Sequence, residues 1–281
     1  MKAALVLQTD FGLNDGAVST MYGVARQVDP EVTVADLTHG ITPFNIFEGS
    51  FRLSQTAKYW PAGTVFVSVV DPGVGSKRLS LVAKLKTGHY VVTPDNGTLT
   101  HLDKLYGIEA VRVIDESIDR LPGSEKSATF HGRDIYVYNG ARLAGGQITF
   151  EEIGKELPVA DIERLALNPA RIEGNKIVGN VDITDVNFGS LWTNIEQTRW
   201  EEDFGARYGD VFNVSVFYEG KRVYQAKLPY YKTFADVKNG ETLIYMNSVY
   251  TVGIAIRMGS MAAENHLSAG QNWTIEIEKD N

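Results

Sequence analysis

Thr64-Val65-Phe66-Val67-Ser68-Val69-Val70 runs directly into Asp71-Pro72-Gly73-Val74-Gly75-Ser76-Lys77-Arg78. The first segment is a short apolar run rich in β-branched residues, the pattern of a strand buried on both faces. The second packs a carboxylate, two glycines and two cations into one loop. In open α/β sheets, ligands bind beyond the carboxyl ends of the strands, where such a loop lies. Arg78 adds a guanidinium that can pair with a carboxylate or steady an anion. Asp, Pro and Gly also favour turns, so the same residues read equally as a plain tight turn. A phosphate-loop reading fails: Gly73–Lys77 lacks the Walker spacing, and no Gly-x-Gly-x-x-Gly occurs.

Working outward, the first half of the chain alternates. Ala3–Leu7 and Val32–Leu37 read as strands, and Ala17–Val28 and Ile46–Trp60 as helices. Leu79–Leu85 and His89–Val92 read as a hairpin, followed by a turn at Pro94-Asp95-Asn96-Gly97. A helix near 98–106, a strand at Ala110–Ile114 and a helix over His131–Ala144 complete the pattern. This rhythm predicts an α/β domain over 1–165, with a central mostly parallel or mixed sheet flanked by helices. After a linker at Leu167-Asn168-Pro169, short β-rich runs separated by turns such as Asn239-Gly240 dominate. They predict a smaller, barrel-like β domain over 170–281.

The 281 residues carry a formal charge of −8 and no cysteine. Disulfides, thiolate ligands and a cysteine nucleophile are excluded. No basic face is evident to match the phosphates of nucleic acid. No segment approaches the roughly 20 apolar residues of a membrane helix. Met1–Asp10 reads as a first strand and not a signal peptide, so a cytoplasmic protein is expected.

Three further stretches carry chemistry. Thr129-Phe130-His131-Gly132-Arg133-Asp134 places a histidine where a helix begins: a surface or capping residue, or a neutral imidazole that handles a proton of water. Thr9-Asp10-Phe11-Gly12-Leu13-Asn14-Asp15-Gly16 follows the first strand. It reads either as a β–α loop capped by Asp15 or as a ribose site, since one carboxylate accepts from two vicinal hydroxyls. Asp36-Leu37-Thr38-His39 reads as a turn, with no third metal ligand at a telling spacing. In the β domain, Asp185–Trp192 is either an ordinary hairpin or a base-stacking wall with polar contacts. Thr233–Asp236 and Asn247-Ser248 stay equally open. Neither Gly-x-Ser-x-Gly nor His-Glu-x-x-His is present.

Thr9–Gly12, Asp36–His39, Gly63–Val65, Val69–Gly75 with Arg78, Pro94–Gly97 and Thr129–Asp134, in that order and spacing, resemble one family. It is that of the S-adenosylmethionine (SAM) hydroxide adenosyltransferases, or SAM hydrolases, related to the fluorinases and chlorinases. The resemblance spans nearly the whole chain. It implies water attack at C5′ of SAM to give adenosine and L-methionine, with no cofactor and no metal. It implies a homotrimer with sites at subunit interfaces. The family's water-handling Asp, Arg and His match Asp71, Arg78 and His131, and its ribose carboxylate matches Asp10. Asp15, Phe44, Asp185, Phe188, Ser190, Trp192, Phe234, Asn247 and Ser248 are the remaining substrate-binding candidates. Halogenating relatives resemble an aromatic at 71 and Tyr-Ser at 131–132. Asp71 and Gly132 here favour hydrolysis over halide transfer. The chain departs from the family at Ser190, Val249, Tyr250 and 137–140, so a non-catalytic binder of adenosine or SAM is the alternative. A metal-dependent hydrolase built on Asp36, His39 and His131 is a further one.

Overall fold

The computed structural model describes residues 2–279 and divides into two compact units, Met1–Leu165 and Ala166–Asn281. The first is built on strands β1 (Ala4–Thr9), β2 (Thr33–Thr38), β3 (Val65–Val69), β4 (Ser80–Leu85), β5 (Tyr90–Pro94), β6 (Ile108–Val113) and β7 (Lys155–Leu157). Its helices are α1 (Ala17–Val28), α2 (Ile46–Ala57), α3 (Thr100–Tyr106) and α4 (Tyr138–Ala144). The strands form one sheet in the order β2-β1-β3-β5-β4-β6-β7. β2, β1, β3 and β5 pair in parallel, and β4, β6 and β7 join antiparallel. This is the mixed, helix-flanked sheet that the alternating sequence predicts.

Apolar side chains leave both faces of the sheet. Leu5 and Leu7 pack with Met21, Val67 and Ala141 on one side, and Val6 and Phe66 with Leu53 and Leu102 on the other. Every residue of β3 is buried, as an apolar run between two helical layers requires. The strand directions decide where chemistry gathers. β4 runs against β3, β5 and β6, so the start of β4 shares a sheet edge with the ends of β1, β3, β5 and β6. Arg78 and Ser80 therefore meet Asp71 and Glu116 at one edge. The side-chain amide of Asn96 donates to the Val70 carbonyl at 2.9 Å and ties the loop after β5 to the end of β3.

One expected helix differs in kind. Residues 132–137 form a π-helical turn before α4 begins at Tyr138. The Asp134 carbonyl is taken by the Leu121 amide at 2.8 Å, and the Asn139 side chain donates to the Ile135 carbonyl at 2.8 Å. Both contacts compete with the regular ladder, and such widened turns recur at functional sites. β7 has no counterpart in the expected elements, because three residues are too few to show a period.

The second unit contains β8 (Arg171–Glu173), β9 (Lys176–Thr184), β10 (Leu191–Glu196), β11 (Val211–Tyr218), β12 (Lys221–Pro229), β13 (Thr242–Met246), β14 (Thr251–Ile256), the short α5 (Met261–Glu264) and β15 (Trp273–Lys279). They make one antiparallel sheet, β12-β11-β15-β9-β10-β14-β13, with β8 on β9. A bridge between Tyr230 and Ile244 brings its two ends together, so the sheet is a nearly closed barrel. Trp200 fills its interior against Phe204, Phe212 and Tyr230.

Gly140 packs α4 directly against the sheet. A Cβ there would stand 2.5 Å from Val67 Cγ2 and 3.1 Å from Leu5 Cδ1. Alanine outranks glycine in a helix by about 1 kcal/mol, yet overpacking a core costs about 1–3 kcal/mol. Gly140→Ala is expected to lower stability in urea unfolding by up to about 2 kcal/mol, the difference of those effects. An unchanged or raised midpoint would show that α4 moves freely on β3.

Candidate active site

Asp71 stands two residues beyond β3, at the entrance to a chain of turns. The Val74 amide donates to the Asp71 carbonyl and the Ser76 amide to the Gly73 carbonyl, at 3.2 and 3.0 Å. Gly75 has φ +77°, and a Cβ there would lie 3.1 Å from the Ala128 carbonyl oxygen. These turns carry the chain back so that Arg78 meets Asp71. The loop is thus both a tight turn and a charged site.

The Arg78 guanidinium uses all five of its N–H groups. Nε donates to both Asp71 oxygens, at 2.9 and 3.0 Å, and Nη2 donates to Asp71 Oδ2 at 2.5 Å. Nη1 donates to Ser80 Oγ at 3.0 Å and to Glu116 Oε1 at 3.2 Å. The second Nη2 hydrogen points to His131 Nδ1, 3.0 Å away. Ser80 Oγ in turn donates to Glu116 Oε1 at 2.5 Å and hydrogen-bonds the Tyr136 hydroxyl at 2.9 Å. The guanidinium carbon lies 5.5 Å from the centre of the Tyr136 ring. The Asp71 and Arg78 side chains are 5% and 9% exposed, and that of Glu116 is 32% exposed.

This geometry assigns the state of His131. An arginine is permanently charged and has only donors. Nδ1 must therefore accept, and the proton of the neutral ring sits on Nε2. Burial lowers the imidazole pKa below its ordinary value, with Glu116 opposing and Arg78 reinforcing that shift. Burial also pushes the Tyr136 phenol well above its usual range, so it stays protonated.

Two neighbouring loops meet here. A Cβ on Gly132 would stand 3.1 Å from the Phe11 ring and 3.3 Å from that of Phe130. Asp10, just before Phe11, accepts the Phe44 amide at 2.8 Å, and Phe44 itself is exposed with φ +67°. Asp15 sits apart on an exposed helix start, where its carboxylate accepts the Ala17 amide at 2.8 Å. His39 uses both ring nitrogens, on Thr9 at 2.8 Å and on Asp36 at 2.9 Å. Among the described residues, no group of three or more His, Asp or Glu is arranged to hold a metal ion. No helix among them is long and apolar enough to cross a membrane.

Within the second unit, Asp185, Phe188, Ser190, Trp192, Phe234, Asn247 and Ser248 all line one cavity of about 950 Å³. Lys232, Tyr245 and Arg257 line it too. Trp192 Nε1 donates to the Tyr245 hydroxyl at 2.9 Å, which fixes the indole plane. Asn247 spends its amide locally: its oxygen accepts the Val249 and Thr251 amides, and its nitrogen donates to Thr251 Oγ1. It shapes the turn. Tyr250 in that turn has φ +63°, a conformation that favours glycine.

Glu116, Ser80, Tyr136, Lys232, Tyr245 and Arg257 are members of these sites that sequence reasoning missed. Glu116 stands just beyond β6, which runs parallel to β3, as Asp71 stands just beyond β3, a relation that only the strand pairing reveals.

A charge-clamped histidine at the strand ends of an α/β unit, followed by a barrel-like unit with an aromatic-walled cavity, is the plan of an enzyme for a small organic substrate. Two family profiles match, the SAM hydroxide adenosyltransferase N-terminal domain over residues 5–154 and its C-terminal domain over 179–274. The chain belongs to the SAM hydroxide adenosyltransferase family. It is 30% identical to the (R)-S-adenosyl-L-methionine hydrolase of Methanocaldococcus jannaschii, over 84% of this chain and 81% of that one. It is 28% identical to the fluorinase of an Actinoplanes species, over 96% of both chains. A crystal structure of an uncharacterized conserved protein from Thermotoga maritima superposes with a TM-score of 0.88 at 32% identity, covering 98% of this chain and 100% of that one.

The assignment of His131 is open to a direct check. Nitrogen-15 spectra at pH 7 are expected to show a neutral ring protonated on Nε2. An Nδ1–H ring, or an imidazolium at that pH, would contradict the Arg78 contact.

Proposed function

We propose that the chain hydrolyses S-adenosyl-L-methionine by attack of water at C5′, releasing adenosine and L-methionine. The observation that carries this reading is the single hydrogen-bonded cluster of Asp71, Arg78 and His131. In the reaction an O–C5′ bond forms, the C5′–S bond breaks, and its electron pair returns to sulfur. The leaving group departs from a sulfonium as a neutral thioether, so no acid is needed to protonate it. The task left to the protein is to place a weak nucleophile in line and to dispose of its proton.

The cluster's chemistry suits that task. Arg78 locks the Asp71 carboxylate and the His131 ring in one orientation. His131 keeps an Nε2–H, a donor that can hold the water oxygen. The cavity of the second unit supplies aromatic faces for a base in Phe188, Trp192 and Phe234, and polar groups of both signs for an amino acid in Asp185, Ser190, Ser248 and Lys232. Asp10 is the candidate for the ribose hydroxyls. The scheme uses no cofactor and no metal, and its working unit is a homotrimer with sites at subunit interfaces in the cytoplasm.

Water is favoured over halide for two reasons. A carboxylate at position 71 disfavours a naked anion beside it. The approach of Phe11 and Phe130 to Gly132 leaves little room for a side chain there.

Purified protein incubated with SAM, with and without chloride, is expected to give adenosine and methionine in both cases. Asp71→Ala and His131→Ala are expected to lose about 10²–10⁴-fold in turnover while still binding SAM by calorimetry. 5′-Chloro-5′-deoxyadenosine as the main product would contradict hydrolysis. Turnover undiminished in both variants would remove the cluster from the chemistry.

A further inference from the structure

Water attack on a sulfonium releases one proton, and the cluster's hydrogen bonds restrict which group takes it. Both Asp71 oxygens are held by Arg78, and the side chain is almost wholly buried. His131 spends its Nδ1 lone pair on Arg78 and carries a hydrogen on Nε2, so the neutral ring has no free basic nitrogen. Arg78 is a donor only. Tyr136 is buried and protonated.

Glu116 differs from all of these. Its Oε1 accepts from Arg78 and Ser80, but no described residue donates a hydrogen bond to its Oε2. His131 Nδ1, whose lone pair is taken by Arg78, lies 3.6 Å from that oxygen, beyond hydrogen-bond range. Its side chain is also the most exposed carboxylate of the cluster, at 32%. It therefore touches both the buried network and the solvent. Arg120 acts on the same histidine by charge, but its guanidinium is engaged by Ser124 and the Ser127 carbonyl.

We propose that Glu116 Oε2 receives the proton of the attacking water, relayed through one bridging water, and passes it to bulk solvent. As the O–C5′ bond forms and the C5′–S pair returns to sulfur, the water's O–H pair stays on the new hydroxyl oxygen. The proton moves to Glu116, which returns to the carboxylate by release to solvent. Asp71 and Arg78 then act as positioning residues that hold the site open, and His131 acts as a donor to the water. This inference rests on the proposed hydrolysis of SAM.

The test compares wild type, Glu116→Gln and Glu116→Asp in single-turnover hydrolysis of SAM across pH 4–9, with SAM affinity measured alongside. Gln keeps the size of Glu and an oxygen for Arg78 and Ser80, but takes no proton. The wild-type rate is expected to fall at acid pH as a carboxylate protonates. Glu116→Gln is expected to lose about 10²-fold or more in rate, to lose that acid limb, and to bind SAM within about threefold of wild type. Glu116→Asp is expected to keep an acid limb at a reduced rate. A Glu116→Gln rate close to wild type, or a slow variant that retains the wild-type acid limb, overturns the assignment. Should wild type itself leave SAM intact, the proposed function fails instead, and the two failures are told apart by that control.

Discussion

The site depends on one guanidinium. Arg78 is nearly buried, and a buried charge is tolerated only when it is paired and every N–H is satisfied. Satisfying five donors requires Asp71 from the loop after β3, Ser80 from the start of β4, Glu116 from the loop after β6, and His131 from the residue just before the π-helical turn. Those groups converge only because β4 runs against its neighbours and brings its first residues to the edge where the others end. Topology and electrostatics are one constraint here. A lysine at 78 would keep the charge but not the planar fork that reaches four partners.

From that constraint the chemical states follow. A donor facing Nδ1 makes His131 an acceptor on one side and a donor on the other. The two carboxylates become unequal. Asp71 is clamped and occluded, whereas Glu116 keeps an oxygen to which no described residue donates and reaches solvent. Division of labour between two acidic groups by environment is how one site both holds and deprotonates a nucleophile. The sulfonium substrate fits this arrangement, because its leaving group makes no demand on an acid. The charge at Asp71 bears on halide less directly than its sequence position suggests, since Arg78 largely offsets it. The crowded space at Gly132 adds a steric reason that the sequence does not display.

Much of the fold was legible. The apolar run Thr64–Val70 signalled a doubly buried strand because both helical layers need it apolar. The β-rich runs after residue 170 were legible as short segments set apart by turns such as Asn239-Gly240. The three-residue β7 and β8 carried no period. The π-helical turn was hidden because its cause, the diversion of the Asp134 carbonyl to Leu121, lies between residues distant in the pattern. For the site, Asp71, Arg78 and His131 stood out through their motifs, and the structure joins them by direct hydrogen bonds. The seven candidates of the β unit line one cavity, although Asn247 turns out to serve the backbone of its own turn. Asp15 does what a carboxylate before a helix commonly does. Glu116 escaped because nothing around it resembles a motif; its meaning comes from the strand direction of β6, which only pairing reveals.

The central claim is that water is the nucleophile and C5′ the carbon it attacks. Turnover of SAM in oxygen-18 water, followed by mass spectrometry of both products, tests it most directly. The account predicts one oxygen-18 in the adenosine, at its 5′-hydroxyl, and none in the methionine. Unlabelled adenosine, or 5′-methylthioadenosine with its C5′–S bond intact, would contradict it.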